Sequence, residues 1–173
     1  MTRQVSDKLI YINEEYPLLS VIPLPKNDER LVKITDEESE LLTEYHSSTH
    51  AIYCSTACWR GYIATWEIKE DILYLKEVSG KCKLLSDSPI VADWFSNTVK
   101  IGLGHLLDST SILASGDIYA KELHIIIENG VVRHTKAVEF NEEYVTSDGT
   151  VKSRPKDRRS IQRKFIDGDF DNG

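Results

Sequence analysis

A chain of 173 residues with 40% hydrophobic residues can bury one core, so it is not a disordered polymer. Its apolar runs are only a few residues long, which argues against a membrane-spanning helix. Its net charge of −7 is uneven: 24 acidic against 14 basic residues through Thr150 give −10, and the stretch from Val151 gives +3. An acidic body disfavours nucleic acid, whose affinity comes mostly from phosphate neutralisation. It suits a basic protein partner, because opposite potentials steer encounter, although the same charge also serves plain solubility.

Lys8 to Asn13 reads as a first strand, Glu14-Glu15 as a turn and Leu18 to Ile22 as a second strand. Pro23 and Pro25 stop that strand, since proline cannot donate to a ladder. Thr35-Asp36-Glu37-Glu38 has the spacing of a capping box, so a helix is expected to run to Glu44 or His46. Its apolar side would be Leu41, Leu42 and Tyr45, and its acidic face Asp36, Glu37, Glu40 and Glu44. That face is either simply solvated or the docking surface of a basic partner.

The most strongly patterned stretch is Cys58 to Val78, CWRGYIATWEIKEDILYLKEV. Tyr62, Ala64, Trp66 and Ile68 alternate with Ile63 and Thr65, Lys69 to Asp71 interrupt, and Ile72 to Val78 runs back. This is a β-hairpin long enough to sit centrally in a sheet. Lys81 to Leu85 is expected as a third adjacent strand, and Thr98 to Leu103 as another, with His105 to Ser115 ambiguous. Lys121 to Glu128 and Val131 to Val138 flank Asn129-Gly130, the dipeptide of a type I′ turn. That turn pairs Ile127 with Val132 and Ile125 with His134, and sends His124 and His134 to opposite faces. Together these elements predict a single α+β domain over residues 1–146. Its antiparallel, meander-rich sheet would curl toward a barrel and carry one or two helices. Residues 147–173 read as a polar, partly basic tail, with Arg154, Lys156, Arg158, Arg159, Arg163 and Lys164.

The run Ser55 to Tyr62, STACWRGY, continues into Ala64-Thr65-Trp66-Glu67-Ile68 and Leu73-Tyr74-Leu75, and is followed by Asp93-Trp94-Phe95. These residues resemble a group of small uncharacterised bacterial proteins with an STA-x-WRGY-x-ATWEI-like core hairpin. The likeness spans about residues 8 to 103. It implies a bacterial, cytoplasmic source, and it carries no established activity or catalytic residues.

His46, His50, Cys54 and Cys58 recur every four residues, but a stripe of four would span about 18 Å of helix. One metal ion could not reach all four without a chain reversal, so no metal and no cofactor is expected. The three cysteines, Cys54, Cys58 and Cys82, are odd in number, which argues against a disulfide framework. Cys58, with His46 or His105 as base, would be a nucleophile only in an electropositive, open setting; otherwise it is a small core thiol. Trp59, Arg60, Asp93 and Trp94 could line a ligand pocket, or the tryptophans could be core with Arg60 stacked on them; in either case Asp93 could pair with Arg60.

Three function classes follow. The first is a non-catalytic bacterial immunity protein that neutralises a basic toxin domain through its acidic helix. The second is a small-molecule or carbohydrate binder using Trp59, Arg60, Asp93 and Trp94. The third is a hydrolase using Cys58 or a carboxylate–histidine pair.

Overall fold

The computed structural model describes residues 3–35, 37–38, 56–109 and 116–139. Among them run ten strands: β1 (Lys8–Tyr11), β2 (Glu14–Pro17), β3 (Leu31–Lys33), β4 (Tyr62–Lys69) and β5 (Ile72–Gly80), then β6 (Cys82–Leu84), β7 (Ile90–Val91), β8 (Asn97–Asp108), β9 (Ile118–Glu128) and β10 (Val131–Glu139). Strand makes up 58% of these residues and helix 3%, so the α+β expectation is corrected to a nearly all-sheet architecture. The capping box does form. The Glu38 backbone N–H donates to Thr35 Oγ1 at 3.3 Å, and the Thr35 N–H donates to Glu38 Oε2 at 3.1 Å. Glu37 and Glu38 have helical geometry, but the rest of the expected helix lies outside the described residues. The reason for the correction is physical: a cap specifies where a turn starts, not how much of the core a helix covers.

The main sheet has eight strands in the order β2-β1-β4-β5-β10-β9-β8, with β7 paired to β5 off this path. It is mixed: β1 runs parallel to β4, Leu9 opposite Trp66, while the other pairs are antiparallel. Its two ends meet. Leu18, just past β2, bridges Ile101 of β8, and the Leu19 N–H donates to the Lys100 carbonyl at 2.9 Å. The Lys100 N–H in turn donates to Ser20 Oγ at 3.1 Å. Inside the curl lie Leu9, Trp66, Leu73, Leu75, Val99, Ile101 and Ile125, all fully buried. The hydrophobic transfer of such side chains, at about 25 cal/mol per Å², is the main favourable term.

The hairpin of β4 and β5 follows its sequence pattern, with Ala64, Trp66 and Ile68 buried on one face. Three two-residue turns have left-handed backbone at both positions: Ile12-Asn13, Glu70-Asp71 and Asn129-Gly130. These are the turns whose twist matches paired strands. The first moves the expected turn two residues earlier, so β2 is Glu14–Pro17 rather than Leu18 to Ile22. Leu18, Leu19 and Ile22 are still buried, packed without belonging to a named strand. β6 is likewise not a third neighbour of the hairpin. It pairs with β3, Leu31 opposite Leu84, in a separate two-stranded sheet. The strand expected over Thr98 to Leu103 runs on through Gly104 to Asp108 as β8, with a register shift between Leu103 and Leu106. A Cβ on Gly102 would lie 2.4 Å from the Tyr119 ring, so the glycine there makes room for an aromatic lid.

Candidate functional site

Two groups of polar side chains are positioned by this fold, at opposite ends of the central hairpin. The first gathers on Asp7, whose side chain is 1% exposed. Arg60 grips it with two bonds of 2.8 Å, and the Ala64 N–H donates to its Oδ1 at 2.9 Å. The guanidinium also lies over the Tyr62 ring, 5.0 Å from its centroid. Burial works against the Arg60 charge, but the bonds to Asp7 more than offset it and its pKa rises. The segment around Asp7 is stitched down further. Gln4 accepts from the Trp59 N–H at 2.8 Å, the Val5 N–H donates to the Ala57 carbonyl at 2.8 Å, and Arg3 pairs with the buried Asp117. The other oxygen of Asp117, Oδ1, has no hydrogen-bond partner among the described residues. Neither Asp7 nor Asp117 stands out in the sequence, since each is a lone carboxylate just before a strand.

The second group surrounds an open cavity of about 830 Å³ between residues 23–30 and Asp93-Trp94. Trp94 is held at both ends. Its Nε1–H donates to the Pro23 carbonyl at 2.9 Å, and its ring rests against Trp66 at 6.4 Å between centroids and 57° between planes. Asp28 and Arg30 form a bidentate pair at 2.9 and 2.7 Å. The Arg30 side chain and backbone N–H pull the Asp28 pKa down to about 2, so this pair stays ionised in any ordinary buffer.

The sequence-selected residues therefore divide. Asp93 and Trp94 line the cavity, whereas Trp59 and Arg60 do not. The Ala92 N–H donates to the Leu73 carbonyl, and Leu73 faces Ile68, six residues along β4 from Tyr62. At 3.3 Å per residue that places the Arg60 end of the strand about 20 Å away along the sheet. Arg60 pairs with Asp7 instead of Asp93 because Asp7 enters beside β4 on the parallel strand β1. Trp59 is 63% exposed. Of the acidic-helix residues, Glu37 is described and exposed, while Asp36, Glu40 and Glu44 lie outside the described residues. So do His46, His50 and Cys54 of the four-residue stripe, and residues 147–173. A register shift between Val132 and His134 puts His134 opposite Ile126, not Ile125. His124 and His134 consequently share a face, and His124 Nε2 lies 2.9 Å from Glu122 Oε2.

Cys58 is buried, and its thiol donates to the Tyr62 carbonyl at 3.3 Å. Burial pushes the thiol pKa up, and the nearby Arg60, already engaged by Asp7, only partly counters it. Iodoacetamide at neutral pH is expected to label Cys58 far more slowly than a free thiol, and Cys82, which is half-buried, faster. Mass spectrometry of a labelling time course measures both; rapid modification of Cys58 in the folded chain would restore the nucleophile reading.

No family model, no curated protein and no solved structure matches this chain. Among the described residues, no helix is long and apolar enough to cross a membrane, and no group of three or more His, Cys, Asp or Glu side chains could hold a metal ion.

Proposed function

We propose that this protein is a non-catalytic bacterial binding protein of the cytoplasm, an immunity protein that neutralises a basic toxin domain by direct contact. The observation that carries this reading is the open aromatic recess around Trp94, whose rim carries three carboxylates, Asp28, Glu29 and Asp93, against two cations, Lys26 and Arg30. A rigid aromatic in a recess bordered by charge is the usual anatomy of a protein-binding hot spot. The exposed Glu37 and Glu38 lie seven and eight residues beyond Arg30, past β3, at most about 25 Å of chain from the same loop. One partner could therefore meet both surfaces. The −10 charge of the chain through Thr150 would steer a cationic partner toward them.

The test is to express the product of each gene adjacent to this one, alone and together with this protein, and to ask whether one is toxic alone and relieved by co-expression. Growth rescue is expected, and reversing Glu37, Glu40 and Glu44 to lysine together should weaken complex formation and rescue. Intact rescue in the triple variant would remove the acidic segment from the interface. Absence of any complex with the neighbouring product would remove the immunity reading.

A further inference from the structure

The geometry points to the cavity between residues 23–30 and Asp93-Trp94 as a receptor for an arginine side chain of a basic protein partner. This rests on the binding-protein reading and names what the surface grips. The platform is preset: Trp94 is tied to Pro23 through its indole N–H and propped on Trp66. A fixed indole face attracts a cation held within about 6 Å of it, and a planar guanidinium stacks there better than an ammonium. The same preference is already at work elsewhere in the chain, where Arg60 lies over Tyr62.

The carboxylates around the platform outnumber the cations: Asp28, Glu29 and Asp93 stand against Lys26 and Arg30. Asp28 is spent on Arg30, with both of its oxygens engaged. The exposed carboxylates of Asp93 and Glu29 form no hydrogen bond or ion pair among the described residues, although Arg30 feels the charge of Asp93. Lys26 lines the cavity as the opposing charge, but it is exposed on a long flexible stem. Two carboxylates beside an immobile tryptophan complement a guanidinium, with stacking on the ring and bidentate pairing at its edge. An uncharged sugar could stack on the same ring, but it would form no ion pair with either carboxylate.

The probe is a blocked peptide, acetyl-Gly-Arg-Gly-Arg-Gly-amide, added to the isotopically labelled full chain while the Trp94 indole N–H resonance is followed. A saturable shift is expected. The isosteric citrulline peptide, which is neutral, should not produce it, and Asp93→Asn should weaken it about five-fold. Asp93 is exposed, so this variant keeps the fold, whereas Trp94→Leu would remove a ring packed on Trp66. The inference is overturned if the citrulline peptide binds as well as the arginine peptide. It is also overturned if only maltohexaose moves the indole signal, or if nothing does. Failure here together with intact growth rescue would place the partner elsewhere on the molecule; loss of rescue as well would reject the binding-protein reading itself.

Discussion

Replacing Arg60 with methionine is expected to lower the unfolding free energy by about 3 kcal/mol, because it strands a buried carboxylate. Asp7 is 1% exposed at its side chain and holds three bonds, two of them from Arg60. The methionine keeps most of the aliphatic stem, so lost packing is a minor part of the effect. Only the Ala64 N–H would remain to serve the charge. Arg60→Lys should cost less, about 1 kcal/mol, since it keeps the charge and loses the two-pronged geometry. Asp7→Asn added to Arg60→Met should recover part of the loss, because a neutral amide tolerates burial better than an anion. Urea unfolding of the four proteins measures this. A loss below about 1 kcal/mol for Arg60→Met would mean that Asp7 reaches water by a small shift of residues 3–7.

The second large effect is expected at the β9–β10 turn. Gly130→Ala should also cost about 3 kcal/mol, combining left-handed backbone with a clash. Gly130 has φ +75, and a Cβ there would lie 2.7 Å from the Ala92 carbonyl oxygen and 3.0 Å from the Asp93 N. The neighbours are backbone, which cannot swing aside as a side chain does. Nor can the turn slide, because the Gly130 carbonyl accepts from Leu73 at 2.8 Å and its N–H donates to Phe95 at 2.9 Å. Asn129→Gly, at the adjacent position of the same turn, should stay within about 0.5 kcal/mol. The Leu73 amide reports the damage: its hydrogen exchange should accelerate in Gly130→Ala. An unchanged exchange rate and stability would show that the turn is not seated on Ala92.

What could be read from the residues alone was local. The period-two run through Trp66 and the Asn129-Gly130 dipeptide each specify a hairpin by themselves, and each hairpin is present. The Thr35 capping box also forms, yet it misled the fold class, because a cap says nothing about the balance of helix and sheet. The parallel pairing of Leu9 with Trp66 joins residues more than fifty positions apart. No short-range pattern encodes such a contact. The shift before His134 was equally silent, since a β-bulge inserts a residue without changing hydrophobic character. At the candidate site, Asp93 and Trp94 were legible as an acidic-aromatic pair. Their partners were not: Pro23 and Pro25 signalled only the end of a strand, while Arg60 was drawn away by Asp7, a residue with nothing in its surroundings to mark it.

The stitching of residues 3–7 has a consequence for how the chain is made. Arg3 finds Asp117 across a separation of 114 positions. A ribosome adding about ten residues per second leaves roughly ten seconds between the synthesis of these two partners. Until β4 emerges, the small β1–β2 ribbon has no neighbour to lie against, and the exposed Ile12 at its tip faces water throughout. The last knot of the curl is therefore tied late, so a nascent chain halted before Asp117 should be open to proteases at its leading residues.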